Sequence, residues 1–489
     1  MKANKPKVIL FFPKNDAEVN LLPMSLLLLA SPLLNNGFDV KIIDQRINNN
    51  WRVDLLQELF DINTIAVGFS VLTGQPINYA LAVSRLVKEK SKVKVIWGGV
   101  HPSLLPEQTL SNDVIDIVVI GEGEATMLEL CQYLVRNQEL SLVQGIGYKK
   151  DGKIIINAPR DFIDLNQSAL PPYYLIDFER YVAQRSFASG QAGRDIDFYT
   201  SRGCPYSCGF CYNKEFNRCR WRSQSATKVV EHMEYLVKNF KITSLNIEDD
   251  EFFVDKNRSL EICALIKEKK LEFDIFATHR INLIEQLSIK ELQELLAAGF
   301  KTLAFGVESG SPRILKMINK NISREQVLSA VKKLKEVGMG SKYYFMVGFP
   351  GEELEDVYQT TDLMLAMKKI DNSIRIPPWR VYTPYPGTDL YQASIEQGFK
   401  APQRLEDWAR FDFEHIRIPW INNKFKNIVY NVMYFNRYLS LSMPAKASFY
   451  LKLSRWYGKT VDWRWKRHLF DFVPEKVLIK TWLKIKQLI

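Results

Sequence analysis

The sequence is short of cysteine. It holds six in 489 residues, and three of them, Cys204, Cys208 and Cys211, fall within eight positions. A secreted disulfide scaffold would spread many more along the chain. Long apolar runs are missing too. The most apolar stretch, Leu21 to Leu34, is broken by Pro23, Ser25, Ser31 and Pro32, and it falls short of the ~18–20 residues that a spanning helix needs. The opening MKANKPKVILFFPKN carries five apolar residues in a row before Pro13, too few for a signal peptide. These absences predict a cytoplasmic protein, soluble or peripheral on a membrane surface. Net charge is absent from most of the chain: residues 421–489 hold 14 Lys+Arg and 3 Asp+Glu, which accounts for the whole formal excess of +11. A nucleic-acid coat, basic throughout, is thereby excluded. A 46% hydrophobic share is ample for real cores, and the length predicts roughly two to four domains at ~150 residues each.

From residue 7 to about 135, short apolar runs (KVILFFP, FDVKIID, TIAVGFS, KVKVIWGG, DIVVIGEG) alternate with helix-length segments such as Ser25–Asn36, Pro76–Lys90 and Glu124–Asn137. Continuous apolar strands separated by helices predict a doubly wound parallel sheet, an α/β domain spanning 1–140. Ligands of such sheets bind at the strand carboxyl ends, which here are polar or glycine-rich. Residues 141–195 are broken by Pro and Gly and read as a connector with a hairpin at Asp151-Gly152. A second alternation runs to about 390, with candidate strands DFYTSRG, SLNIEDD, DIFATHR, TLAFGVES, KYYFMVGF and SIRIPPWRVYT. It predicts six βα units closing into a partial (β/α)6 barrel of the TIM type over 196–400. Chemistry is expected at the strand C-terminal ends, where Cys204, Glu248-Asp249-Asp250, His279-Arg280, Glu308-Ser309 and Gly348 fall.

The three cysteines sit in Ser201-Arg202-Gly203-Cys204-Pro205-Tyr206-Ser207-Cys208-Gly209-Phe210-Cys211, after the first barrel strand. Three thiolates in one tight loop can ligate three irons of a four-iron cluster and leave the fourth open. Structural zinc takes four protein ligands in paired knuckles, and there is no second knuckle; Cys219 and Cys263 stand alone.

C-x3-C-x2-C with an aromatic before the last cysteine, placed after the first strand of a six-unit barrel, resembles the radical S-adenosylmethionine (SAM) superfamily. The resemblance implies a 4Fe-4S cluster on Cys204, Cys208 and Cys211. It places Phe210 on the adenine, Glu248 and Asp249 near the SAM ammonium, Arg280 on its carboxylate, Glu308 at the ribose and Gly348 behind the adenine. For the acidic residues and Arg280 the alternative is an ordinary barrel-end salt bridge or helix cap. The first domain resembles the cobalamin-binding domain that precedes one radical SAM class. That likeness rests on Gly68-Phe69-Ser70, Thr73, Gly98-Gly99-Val100-His101 and Gly121-Glu122-Gly123-Glu124. It implies cobalamin contacts from Ser70, Thr73, Gly98, Gly99, His101, Gly121, Glu122 and Gly123, with a hydrogen-bonded loop histidine as the plainer role for His101. Cobalamin domains with a histidine ligand carry Asp-x-His-x-x-Gly; here Asp44 is followed by Gln45-Arg46, then Asn49. No histidine lower ligand is expected.

Together these implied features describe a cobalamin-dependent radical SAM enzyme. The expected reaction is methylation of an unactivated carbon, through hydrogen abstraction by a 5′-deoxyadenosyl radical and methyl transfer from methylcobalamin. A cyclase or ring-rearranging enzyme of the same class is the alternative. An RNA methylthiotransferase would need a second cysteine cluster, and residues 1–130 hold no cysteine; a non-catalytic cobalamin or redox sensor would not need the intact triad. The implied partners are a small-molecule or lipid-like substrate and a one-electron reductant such as flavodoxin or ferredoxin. Residues 401–489 form a basic, aromatic-rich, helical extension, with Trp456, Trp463, Trp465 and Trp482 among Arg and Lys, suited to an anionic membrane surface or to capping the barrel. Trp379, Tyr382 and Tyr385 near the sixth strand are expected in the core, with the substrate cavity as their alternative.

Overall fold

The computed structural model describes residues 5–15, 21–411, 418–439, 460–471 and 473. Its first sheet has the order β2-β1-β3-β4-β5-β6-β7, from β1 (Lys7–Phe12), β2 (Asp39–Asp44), β3 (Thr64–Ser70), β4 (Lys94–Gly98), β5 (Ile117–Val119), β6 (Ile146–Lys150) and β7 (Lys153–Ile156). The first five strands are parallel. They are nearly all apolar because helices cover both faces. The predicted hairpin forms and continues this sheet as its antiparallel edge, β6 pairing with β5 and then with β7. The strand order reverses between β1 and β3, the place where ligands of such sheets sit.

The second sheet runs β16-β15-β14-β13-β12-β9-β8. Its members are β8 (Ala183–Arg185), β9 (Ala192–Phe198), β12 (Ser244–Ile247), β13 (Asp274–His279), β14 (Phe300–Glu308), β15 (Gly340–Val347) and β16 (Arg380–Val381), while β10 (Ser201–Arg202) and β11 (Arg222–Ser223) form a small ribbon beside it. From β9 to β16 all neighbours are parallel, so the six βα units are present. The first strand ends five residues earlier than DFYTSRG suggests. Residues 199–203 leave the sheet to start the cysteine loop, held there by side-chain bonds that the apolar pattern does not report. The sixth strand is only two residues long, with one isolated bridge at Arg375, because Pro377 and Pro378 interrupt the ladder.

Burial alternates on β15: the outward side chains Tyr343, Phe345 and Val347 are buried under helices, while the inward Lys342, Tyr344 and Met346 stay partly exposed. The main apolar core lies between sheet and helices; on the concave face Phe276 and Ala304 are buried, and the β15 edge is left half-covered. The C-terminal helix Asn423–Leu439 lies against helix Leu354–Ile370, with Val432, Phe435 and Trp465 fully buried. That part of the extension caps the barrel. Trp456 and Trp482 lie outside the described residues. Among those described, no helix is long and apolar enough to cross a membrane.

Candidate functional site

The cysteine loop is fastened at every turn. Asp249 accepts from the Thr200 amide (2.6 Å), the Thr200 hydroxyl (2.5 Å) and the Ser201 hydroxyl (2.6 Å). Asp250 accepts from the Gly203 amide at 2.8 Å. Asn213 accepts from the Cys204 amide (3.0 Å) and donates to the Cys204 carbonyl (2.6 Å). Gly209 donates to the Ile318 carbonyl at 2.8 Å and its carbonyl accepts from Leu390 at 2.9 Å. A ligand loop held from four elements is rigid in the way a cluster site requires.

The three sulfurs are free thiols. Three thiols in one loop match one iron each of a multi-iron cluster, whereas structural zinc asks for four protein ligands. Burial pushes the Cys204 thiol up to about 12 and the Cys211 thiol up to about 11. Arg280 supplies the compensating positive charge: its Nη1 donates to Cys208 Sγ at 2.9 Å, and its guanidinium lies 4.0 Å over the Tyr206 ring. It also donates to the Lys320 carbonyl. The structure places Arg280 against the cysteine loop.

Of the acidic residues after β12, Asp249 is committed to Thr200 and Ser201, and burial pushes its carboxyl up. Its place is under the loop. Glu248, like Asp250, reaches the surface; its carboxylate accepts from Asn246 at 2.5 Å, and partial desolvation with the neighbouring Asp249 pushes it up. Glu308 ends β14 in the left-handed region, φ 66°, a conformation that a non-glycine residue adopts at some cost. Its carboxylate is buried and accepts from Lys320 Nζ at 2.8 Å. Gly306 shows why this strand end needs glycine: a Cβ there would lie 2.3 Å from Glu308 Oε1 and 3.0 Å from Lys320 Nζ. Lys320 was not legible in the sequence, where it is one lysine between two helices. Gly348 and Phe349 donate to Glu352, at 2.5 and 3.0 Å, and burial pushes that carboxyl up to about 8. Phe210 lies 6.0 Å from the Phe349 ring and 6.0 Å from Lys320 Nζ. Thus Phe210, Glu308, Lys320 and Phe349 share one corner beside the loop.

The first domain's strand ends meet this site. Glu122 accepts from Arg202 (2.9 Å) and from Arg222 (2.9 Å), Glu124 accepts from Arg202, and Glu122 also receives the Ile163 amide at 3.1 Å. Burial alone would raise the Glu122 carboxyl, but the two guanidiniums outweigh it and hold it below the usual range. The structure thus turns Glu122 toward the barrel's arginines. Gly99 makes a close approach within the first domain. A Cβ there would sit 2.8 Å from Val71 N and O, and φ is +99°, so this glycine serves a chain-to-chain approach. Ser70 receives the Ser25 hydroxyl at 3.0 Å. His101 is fully buried; its Nδ1 meets Thr73 Oγ1 at 3.1 Å, its Nε2 has no partner among the described residues, and burial lowers its pKa to about 4. At the histidine-motif position, Arg46 grips Asp44 (2.6 Å) and stacks on Phe12 at 4.1 Å, and Tyr181 donates to Asp44 at 2.8 Å. Gly121 borders open space, since an added Cβ would meet nothing within 4 Å, and a cleft of about 140 Å³ opens there between Gly121, Phe162 and Arg218. An open loop edge and an orphaned imidazole nitrogen fit a large bound cofactor. Trp379, Tyr382 and Tyr385 pack on Phe345, Phe349 and Phe411, in the core.

A model of the radical SAM superfamily matches residues 198–364, and one of the B12-binding domain matches residues 15–131. An uncharacterized methyltransferase of Pyrococcus horikoshii is 32% identical over 419 residues, covering 83% of this chain and 87% of the relative. The anaerobic magnesium-protoporphyrin IX monomethyl ester cyclase of Rubrivivax gelatinosus is 27% identical over 403 residues, 79% of this chain and 67% of the relative. Among solved structures, the radical SAM methyltransferase TsrM of Kitasatospora setae, with cobalamin and a 4Fe-4S cluster bound, superimposes with a TM-score of 0.69 at 16% identity. It covers 96% of this chain and 90% of that one. The shared fold extends across both sheets.

Proposed function

The chain belongs to the radical SAM superfamily, as an enzyme with a B12-binding domain ahead of its barrel, and from that premise we propose that it methylates an unactivated carbon of a small molecule. The cofactors are a 4Fe-4S cluster, SAM and cobalamin, which when bound supply the radical and the methyl group. The observation that carries the reading is the meeting of the two domains: the first domain's strand ends are ion-paired to Arg202, two residues ahead of Cys204. Cys204, Cys208 and Cys211 would hold the cluster. Phe210, Glu308, Lys320 and Gly348 would surround SAM, with Glu248 open toward its ammonium. The strand ends of the first domain, at Ser70, Thr73 and Gly121, would border cobalamin. The chain's own work is to fix these groups in register and to exclude water.

The test is anaerobic reconstitution with iron, sulfide, cobalamin and SAM carrying a deuterated methyl group, against a small-molecule extract from cells lacking the gene. A product bearing one deuterated methyl is expected. Formation of 5′-deoxyadenosine with no labelled product would favour ring closure or rearrangement instead.

An external one-electron reductant such as flavodoxin or ferredoxin would feed the cluster. The basic aromatic C-terminal segment would touch an anionic membrane surface. Because residues 423–439 contribute buried side chains, the informative truncation falls after Val473; it should reduce sedimentation with anionic vesicles, and unchanged sedimentation would reject membrane contact.

A further inference from the structure

The concave face of the barrel is electrically divided. On one wall stand Asp197 and Glu248. Asp197 accepts from the Leu22 amide at 3.2 Å and from Asn246 at 3.1 Å; burial and the nearby Glu248 push its carboxyl up to about 7. On the other wall, at the β15–β16 edge, stand Lys342, Arg375 and Arg380. Parallel pairing sets Lys342 beside Arg375 and Met346 beside Arg380. Residues paired side by side point to the same face, and Lys342 touches the inward Tyr344 and Phe276, so the three cations share the inner face. Burial pushes the Tyr344 phenol up; Arg380 opposes that and Glu248 adds to it.

Lys342 is the telling residue. It is half-buried, and its ammonium meets three aromatic rings: Phe187 at 4.5 Å, Tyr344 at 5.1 Å and Phe276 at 5.7 Å. A lysine drawn out of water is normally paired with an anion, yet among the described residues no carboxylate lies within ion-pair distance of this one. Aromatic faces hold a cation in place without neutralising it. Burial and the two adjacent guanidiniums hold its pKa below the ordinary lysine value. Placing Lys342 beside Arg375 on one face costs stability unless something anionic joins them. Arg375 adds an exposed guanidinium, with the planar donor fork suited to carboxylate or phosphate oxygens.

We propose that this edge of the barrel lumen binds an anionic group of the substrate, a carboxylate or a phosphate, with Lys342 and Arg375 as its principal contacts and Arg380 beside them. The proposal rests on the lumen being the enzyme's substrate chamber, as the methyltransferase reading requires. Lys342 sits four strand residues below Met346, about 13 Å at ~3.3 Å per residue, while the cysteine loop and Glu308 occupy the upper end. The anionic group is therefore an anchor remote from the reacting carbon. Binding energy gathered there is available to orient the carbon at the upper end.

The experiment is calorimetric titration of the reconstituted holoenzyme, without SAM or reductant, with inorganic phosphate in one arm and malonate in the other. One site that takes phosphate, malonate or both is expected. Lys342→Met and Arg375→Gln should each weaken it by about tenfold, the loss typical of one charge-assisted contact, and Lys342→Arg should retain it. No binding of either anion by the wild type, or equal binding by Lys342→Met and Arg375→Gln, would overturn the proposal. So would a Lys342→Arg variant that melts like the wild type yet binds as weakly as Lys342→Met. The titration needs no turnover, so it can fail while the methyl-label experiment succeeds, and the reverse.

Discussion

Glu122 of the first domain and Arg202 of the cysteine loop meet at 2.9 Å across the domain boundary. The glutamate is pinned from its other side by Arg222, whose guanidinium stacks 4.1 Å over Phe162. Glu122→Gln should lower stability by about 1–3 kcal/mol, the range for a buried group losing charged partners, read by chemical denaturation of the apoprotein. The pH dependence has a definite sign. The Glu122 carboxyl is held below its usual range in the fold, so its contribution is complete above the unfolded value of ~4.3 and is lost as pH falls through the lower folded value. The gap between wild type and Glu122→Gln should be full at neutral pH and shrink on acidification below that range. A gap that widens in acid would contradict the assignment.

Removing any one of Cys204, Cys208 or Cys211 as alanine should leave a protein that folds but retains little iron, with 5′-deoxyadenosine formation near background. Cys219→Ala should keep its iron, because Cys219 lies outside the triad and its thiol donates to the Tyr206 carbonyl, at 3.6 Å. Iron content of anaerobically reconstituted protein checks both.

Asp249 should behave as a support for the loop. Asp249→Ala strands three donors, the Thr200 amide and hydroxyl and the Ser201 hydroxyl, in a buried place. A cost of about 2–4 kcal/mol follows, and iron retention should fall with it. If Asp249→Ala holds its full cluster and loses only SAM affinity, the residue faces SAM instead.

Lys320→Met should leave iron content unchanged and weaken SAM binding by about tenfold, roughly 1.4 kcal/mol, seen as a smaller change in the reduced-cluster electron paramagnetic resonance spectrum when SAM is added. Gly306→Ala should do the same by a different route, since its Cβ would intrude between Glu308 and Lys320.

Cobalamin bound in the Co(II) state should show no nitrogen splitting from a protein histidine. His101 is the one imidazole in residues 1–140, and it is buried against Thr73 and the Trp408 ring, while Arg46 and Asp44 grip each other where the histidine motif would stand. The same splitting, if seen and abolished in His101→Ala, would mean that this loop rearranges to reach the metal.

Most of the architecture was legible because apolar runs and their spacing report which strands are covered on both sides. The cysteine triad was legible because three ligands crowd into one loop. Partnerships between distant residues were not. Nothing local says that Glu122 will find Arg202 and Arg222, that Asp249 will turn under the loop, or that Gly99 answers to the Val71 backbone. Lys320 and Lys342 look like any surface lysine until the fold buries one beside Glu308 and rings the other with aromatics. Boundaries slipped where side-chain bonds or prolines, not hydrophobic pattern, end a strand, as at Phe198 and before Arg380.

The barrel strands rest on their helices and leave part of the concave side, at 278, 344 and 346, only half-covered. Replacing a residue there removes little packing, so the chamber can be re-lined over evolutionary time at small cost to folding. A single scaffold of this kind can be expected to diversify its clientele by changing inward positions such as 278, 344 and 346, while the outward neighbours at 277, 343 and 345 hold still.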